Sequence, residues 1–124
     1  MNIQCVACTE GPDYLGSCWL FEKKEHPECV GISGLRVSNL HALVDDTKTS
    51  EVTITTLIES CIEYTKSKSK TKIVIPIQRY SVVETFAKVF EKMGFKEYTI
   101  EPNITEGMFY WSYVDIHRYY SLDL

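Results

Sequence analysis

The sequence predicts an α/β (α+β) protein in which two helices pack on one mixed β-sheet. The predicted elements follow the order of three strands, a helix, a strand, a second helix and two more strands. A strand–helix–strand unit of this kind favours a right-handed crossover that joins parallel strands. Each predicted helix also carries a single apolar stripe, as expected for a helix that covers one face of a sheet. With 124 residues, the chain is predicted to form one domain over residues 1–124.

Three strands are predicted in the amino-terminal part of the chain, at residues 2–8, 17–24 and 29–44. These segments are rich in β-branched and aromatic residues, and glycine and proline interrupt the chain between them. A polar segment at residues 45–50 then ends the third strand. Thr49 or Ser50 in this segment is expected to cap the helix that follows.

The first helix is predicted over residues 50–66. Its buried stripe is predicted by apolar positions that recur at helical spacing, namely Ile54, Leu57, Ile58, Cys61, Ile62 and Thr65. A lysine-rich segment follows, and positive charge suits the carboxyl end of a helix. The buried stripe predicts that this helix lies against the sheet.

A short apolar run at residues 72–78 predicts a buried strand. Pro76 cannot donate a hydrogen bond to a ladder, so it is expected at an edge, a bulge or a strand end. The second helix is predicted over residues 81–93, where Ser81 and Glu84 form a capping box and Gly94 ends the helix.

Two final strands are predicted at residues 96–101 and 108–116. The second of them belongs to an aromatic run that comprises Phe109, Tyr110, Trp111, Tyr113, Tyr119 and Tyr120. This run predicts a strand buried on both sides, followed by a packed tail. An aromatic patch that binds a partner is the alternative.

Charge and composition argue against several classes of function. The formal net charge is −4, from 17 acidic and 13 basic side chains, whereas nucleic-acid binders neutralise phosphates with basic surfaces. A negatively charged membrane surface is disfavoured for the same reason. The apolar runs are too short to cross a bilayer, and the amino terminus does not resemble a secretory signal. Five cysteines, an odd number, favour reduced thiols and a cytoplasmic location.

One set of residues has the spacing of a structural zinc site, namely Cys5, Cys8, His26 and Cys29. In a strand, however, Cys5 and Cys8 would point to opposite faces of the sheet. A zinc site would have to break that strand. Free thiols are therefore the preferred interpretation, and no bound metal is expected.

Residues 81–98, SVVETFAKVFEKMGFKEY, resemble the last helix and the following strand of the GCN5-related N-acetyltransferase fold. That helix typically ends in roughly Tyr-Glu-Lys-x-Gly-Phe, and the matching residues here run from Phe90 to Phe95. The resemblance covers roughly residues 40–116. It implies an N-acetyltransferase-like arrangement of the sheet and its two helices.

Two departures from that family argue against catalysis. Catalytic members begin the first helix with a glycine-rich turn whose amides hold the coenzyme A pyrophosphate. The corresponding residues here are expected at about 49–54, which contain no glycine, and Glu51 would oppose the phosphates. Phe90 stands where many members have a tyrosine that acts as general acid, and phenylalanine has no proton to donate.

Several segments resemble the ornithine decarboxylase antizymes, which share this fold without the pyrophosphate site. They are residues 40–44, 57–63, 73–78, 90–95 and 109–113. The resemblance implies a non-catalytic inhibitor that needs no cofactor. Such a protein would bind ornithine decarboxylase subunits, block their dimerisation and promote their degradation in polyamine homeostasis.

Three glutamates, Glu51, Glu59 and Glu63, form an acidic ridge on one face of the first predicted helix. Glu59 and Glu63 are four residues apart, and like charges at that spacing destabilise a helix slightly. The antizyme resemblance implies that the acidic ridge binds the protein partner, together with Gln78 and Arg79 after the central strand. A solvated acidic face is the alternative interpretation.

Two other functions remain open from the sequence. A divergent acetyl-CoA-dependent N-acetyltransferase would hold its cofactor through the backbone of Val74, Ile75 and Ile77. An interaction module of the same fold would instead bind a different protein partner. Binding of coenzyme A would distinguish the enzyme from both binding proteins.

Overall fold

The computed structural model describes residues 2–24, 26–37, 47–77, 87–99 and 118–124. Within these ranges the strands are β1 (Asn2–Glu10), β2 (Asp13–Glu22), β3 (Cys29–Val37), β4 (Lys72–Ile77), β5 (Lys96–Thr99) and β6 (Arg118–Asp123). The helices are α1 (Thr47–Ser67), between β3 and β4, and α2 (Ala87–Lys92), between β4 and β5.

The described strands form one mixed sheet in the order β1-β2-β3-β4-β6-β5. β1, β2 and β3 are an antiparallel meander, and β3 pairs with β4 in parallel after the chain has crossed over through α1. β6 runs antiparallel to both β4 and β5. The predicted fold class is therefore confirmed, and β4 lies in the interior of the sheet as expected.

Helix α1 covers the sheet through the stripe that its sequence predicts. Ile54, Leu57, Ile58, Cys61 and Thr65 are all buried, and Ile62 is partly buried against the same core. The apolar residues of this stripe pack with Cys18 and Leu20 of β2 and with Ile73 and Ile75 of β4. Periodicity alone was sufficient to predict this face.

Helix α2 joins the same core through Val89 and Phe90, so both helices lie on one face of the sheet. Its carboxyl end is closed by two backbone hydrogen bonds, from Gly94 to Glu91 (3.0 Å) and from Phe95 to Phe90 (3.0 Å). Gly94 has a φ of 97°, which favours glycine. This is a Schellman motif, and it confirms the predicted end of the helix.

The opposite face of the sheet carries a smaller buried cluster of Phe21, Cys29 and Val74. Tyr119 packs against it and stacks on Tyr98, with ring centroids 5.4 Å apart. Within the described ranges, both helices lie on the other face. None of the described helices is both long and apolar enough to cross a membrane.

Two predictions about element boundaries are corrected. Helix α1 begins at Thr47, so Thr49 and Ser50 lie in its first turn and do not precede it as caps. Residues 118–123, which were expected to be a packed tail, form β6 between β4 and β5. These residues form a strand because their side chains alternate between the two faces of the sheet. Tyr120 packs in the main core on the helical face, and Tyr119 packs against the smaller cluster on the opposite face.

Other predicted features fall outside the described residues. They are the capping box at 81–84, the end of the third predicted strand at 38–44 and the predicted strand at 108–116. The strand predicted at 96–101 is described as far as Thr99.

Candidate functional site

The parallel ladder between β3 and β4 is short, and both strands continue beyond it. The ladder consists of the pairs Cys29–Lys72, Val30–Ile73 and Gly31–Val74. Beyond these pairs β3 continues to Val37 and β4 continues to Ile77. The two central parallel strands are therefore unpaired with each other in their carboxyl-terminal parts, and the region between these parts is called the opening.

Pro76 explains why the ladder stops. The backbone N–H of Lys72 donates to the carbonyl oxygen of Glu28 (3.1 Å), so this position of β4 faces β3. Backbone groups alternate along a strand, and position 76 therefore faces β3 as well. Because proline has no N–H, it cannot donate the next ladder bond to the Ile32 carbonyl. Pro76 thus lies at the end of the β3–β4 pairing, as the sequence predicted.

A bulge in β3 lies beside the opening. Ser17 and Trp19 of β2 pair with Arg36 and Ser33 of β3, respectively. The two β2 residues are two positions apart, whereas their partners in β3 are three positions apart. The extra residue in β3 makes a β-bulge, which bends a strand and often lies next to a binding site. Gly34 in this bulge has a φ of 60°, a conformation that glycine adopts without steric cost.

Apolar side chains surround the opening on both faces of the sheet. On the helical face, Ile32 and Ile75 are buried in the main core. On the opposite face, Trp19 is 47% exposed, and a Cβ on Gly34 would lie 3.0 Å from its Cδ1 atom. The Phe21 ring covers Gly31 so closely that any side chain there would overlap it. An extended ligand with amide groups could pair with these backbone edges as an additional strand would.

Solved structures that resemble this chain are acetyltransferases. N-acetylglutamate synthase from Neisseria gonorrhoeae, complexed with coenzyme A and N-acetyl-glutamate, has a TM-score of 0.66 and 15% identity. A GNAT-family acetyltransferase from Staphylococcus aureus Mu50 has a TM-score of 0.69 and 13% identity. The PaiA N-acetyltransferase from Thermoplasma acidophilum, in complex with coenzyme A, has a TM-score of 0.63 and 12% identity.

These matches cover almost all of this chain but only part of the matched proteins. The match to N-acetylglutamate synthase covers 97% of this chain and 25% of that protein. The match to the Staphylococcus aureus enzyme covers 99% and 69%, and the match to PaiA covers 100% and 62%. No protein-family model and no curated protein sequence matches the chain. The chain has the GCN5-related N-acetyltransferase fold.

The prediction of a non-catalytic, antizyme-like inhibitor is wrong. The matching structures are acetyltransferases, and two of those described above contain coenzyme A. The expectation that the chain is not an enzyme is overturned by the same finding. Physically, two of the described segments that carried the antizyme resemblance are packing features: residues 57–63 contain buried positions of α1, and Gly94–Phe95 closes α2.

Helix α1 starts before residue 50, its predicted start, and this changes where a pyrophosphate turn of the N-acetyltransferase fold would lie. Because α1 begins at Thr47, residues 49–54 are helical and do not form the turn before the helix. Glu51 lies beyond the first turn, which contains no acidic residue. Residues 38–46, which precede α1 in the sequence, contain no glycine and fall outside the described residues.

Phe90 is part of the core. Its side chain is 0% exposed, and its ring lies 6.0 Å from the Phe95 ring and 5.4 Å from the Tyr120 ring. The contact with Phe95 is the hydrophobic contact that accompanies a Schellman motif. Phe90 therefore has a structural role, and it supplies no general acid.

The acidic ridge is exposed on α1, with Glu51, Glu59 and Glu63 all at the surface. Part of it borders a groove of about 570 Å³ between α1 and α2, which also includes Val52, Val89 and Lys92. Gln78 and Arg79 lie outside the described residues. The ridge is thus formed as expected, while its partner stays a prediction.

The four residues with the spacing of a zinc site are distributed over β1, β3 and the turn between β2 and β3. Cys5 is exposed on β1, Cys8 packs partly against the main core and Cys29 is buried on β3, while His26 lies in the turn between β2 and β3. Among the described residues, no group of three histidine, cysteine or acidic side chains could hold a metal ion. The cysteines are free thiols.

The main interpretation of the sequence expected no cofactor, and the N-acetyltransferase alternative named only the backbone of Val74, Ile75 and Ile77. Both missed the β3 side of the opening. The side chains of Val74 and Ile75 are buried on opposite faces of the sheet; Val74 is the last β4 residue paired with β3, and Ile77 ends the strand. Gly34 and Trp19 were not identified. The glycine pair in Gly31-Ile32-Ser33-Gly34 was the available signal, since isolated glycines in a strand often mark a bulge.

Proposed function

We propose that this protein is an acetyl-CoA-dependent N-acetyltransferase that holds its cosubstrate in the opening between β3 and β4. The observation that carries the proposal is the end of the ladder at Gly31–Val74, opposite Pro76 and next to the bulge at Gly34. The fold supports the same activity, since the matching structures are acetyltransferases.

The backbone edges of the opening suit the pantetheine arm of coenzyme A. That arm is extended and contains two amides. The carbonyl groups of Ile32 and Pro76 face the opening by strand alternation, so they are acceptors for those amides. This pairing would replace the ladder bonds that β3 and β4 do not make with each other.

Bound acetyl-CoA would supply an acetyl group already activated as a thioester. The backbone N–H groups of the bulge around Gly34 are the candidate donors to the thioester oxygen, where negative charge develops during attack. Trp19 lies against this bulge and would limit the access of water. Because Phe90 cannot donate a proton, catalysis would depend on positioning and backbone hydrogen bonds and not on a phenol at that position.

Binding of coenzyme A is the first test. At a concentration 100 times its dissociation constant, coenzyme A should stabilise the native protein by about 2.7 kcal/mol. Pro76→Ala restores an N–H that can extend the ladder into the opening, and closing it would oppose binding by about one hydrogen bond, or roughly 1 kcal/mol. We therefore expect this variant to bind about fivefold more weakly in calorimetry.

Pro12→Ala is the matched control for this experiment. Pro12 is an exposed residue of the turn between β1 and β2, so its replacement should leave coenzyme A binding unchanged. Absence of any stabilisation of the wild-type protein by millimolar coenzyme A would contradict the proposed function.

Transfer itself is measured by mass spectrometry of acetylated amines, which avoids interference from the protein's own thiols. The wild-type protein should acetylate at least one member of a panel of primary amines and polyamines. Gly34→Ala should abolish transfer, because a Cβ strains the bulge at positive φ and approaches Trp19. Equal turnover by both proteins would show that the bulge takes no part in the reaction.

A further inference from the structure

Two cysteines that are far apart in the sequence meet in the core. The Sγ atoms of Cys18 on β2 and Cys61 on α1 are 3.6 Å apart, although 43 positions separate the residues. Both side chains are 0% exposed. Their thiols form a hydrogen bond that links the helix directly to the sheet.

The two thiols have different proton affinities. The hydrogen bond with Cys61 lowers the pKa of Cys18, and this effect exceeds the opposing effect of burial. The same hydrogen bond and burial raise the pKa of Cys61. Either thiol can donate this hydrogen bond, and the lowered pKa favours Cys18 as the sulfur that reacts first.

We propose that Cys18 and Cys61 are an oxidisable pair in which hydrogen peroxide forms a disulfide between β2 and α1. The Cys18 sulfur attacks one peroxide oxygen, the O–O bond breaks, and one water leaves as Cys18 becomes a sulfenic acid. The Cys61 sulfur then attacks the Cys18 sulfur, the S–O bond breaks, and a second water leaves. Two thiols and one peroxide thus yield one disulfide and two waters, and peroxide takes up the two electrons that the sulfurs lose.

Formation of the bond needs only a local rearrangement. The sulfur atoms must approach by about 1.5 Å to reach the S–S bond length, and peroxide can reach them when α1 opens transiently. The disulfide would close the chain segment from Cys18 to Cys61, which contains β3 and its bulge. This inference does not depend on the proposed acetyltransferase activity.

Peptide mapping of the native wild-type protein after peroxide treatment tests the proposal. The expected product is a Cys18–Cys61 linked peptide, about 2 Da lighter than the two reduced peptides together, which dithiothreitol reverses. Because the cross-link constrains a long loop, the unfolding midpoint should rise by several degrees. The replacement Cys61→Ala should remove both effects, whereas Cys5→Ala, at an exposed thiol, should retain them.

Two results would overturn the proposal. One is oxidation of the other cysteines while Cys18 and Cys61 stay reduced. The other is a linked peptide that forms only in denaturant, which would show that the native core does not allow the bond. Since the mapping uses the wild-type protein, it remains decisive even if Cys61→Ala does not fold.

Discussion

Ser69 has a backbone conformation that side chains rarely adopt, with a φ of 57°. It closes the carboxyl end of α1 through two backbone hydrogen bonds. The N–H of Ser69 donates to the carbonyl oxygen of Lys66 (3.0 Å), and the N–H of Lys70 donates to the carbonyl oxygen of Thr65 (3.1 Å). This is the same Schellman arrangement that ends α2, with serine in the position that glycine usually occupies. A left-handed conformation costs a residue with a Cβ about 1–2 kcal/mol.

Replacing Ser69 with glycine should therefore stabilise the protein. We expect Ser69→Gly to raise the free energy of unfolding by about 0.5–1 kcal/mol, because part of the gain is lost to the greater entropy of glycine in the unfolded chain. Urea denaturation measures this change. Ser69→Ala keeps the Cβ and should show no such gain. A destabilised glycine variant would contradict the argument.

Cys29 should make stability depend on alkaline pH. Its burial, and then the neighbouring carboxylate of Glu28, raise the pKa of this thiol to about 11 from an ordinary value of 9.0. The folded state therefore holds this proton more tightly than the unfolded state does. The stabilisation of the folded state by this raised pKa is complete below pH 9.0 and is lost as the pH rises through about 11.

Chemical denaturation at about pH 8, 9, 10 and 11 measures how the free energy of unfolding depends on pH. The free energy of unfolding should fall across the series, and Cys29→Ala should make the fall less steep than in the wild-type protein. Identical slopes would show that Cys29 ionises equally well in both states.

At the scale of elements, α1 is held by its buried stripe and not by its exposed face. Leu57 is 1% exposed and lies in the main core. We expect Leu57→Ala to lower the free energy of unfolding by about 2–5 kcal/mol, through lost burial and the cavity that remains. Glu59→Ala, on the exposed face of the same helix, should change it by less than about 0.5 kcal/mol. Thermal or urea unfolding of both variants is the measurement.

The end of α2 explains why a sequence motif was informative about fold and misleading about function. Gly94 supplies the positive φ, and Phe95 packs on Phe90 across the end of the helix. Helices that end in this way commonly have glycine at this position and a hydrophobic contact across the end of the helix. The Gly-Phe ending therefore identifies a packing arrangement, which catalytic and non-catalytic proteins of one fold can share.

At the scale of the whole molecule, the proposed cosubstrate site predicts a pattern of hydrogen exchange. Backbone amides of β3 and β4 beyond Gly31 and Val74 lie outside their mutual ladder, so coenzyme A should slow exchange in peptides that contain residues 32–37. Peptides from β1, two strands away from the opening, should exchange at an unchanged rate. Equal protection of β1 and β3 would indicate general stabilisation and not binding at the opening.

Much of the architecture was predictable because it depends on local patterns. The stripe of α1, the buried run of β4 and the glycine that ends α2 each lie within a short segment, and the structure confirms them. β6 was missed because the last strand was assigned to the denser aromatic run at residues 109–113, which precedes Tyr119 and Tyr120 in the sequence. The start of α1 was placed three residues late because a polar segment offers several possible caps.

The sequence by itself determined the order of the elements as far as β5 and which face of α1 is buried, since periodicity follows from backbone geometry within a single element. It also predicted that Pro76 interrupts strand pairing, at an edge, a bulge or a strand end. Only the tertiary structure decided that this interruption lies opposite the Gly34 bulge, and that Cys18 meets Cys61 across 43 positions. These juxtapositions depend on strand register and on packing between distant segments, and no local pattern encodes either of them.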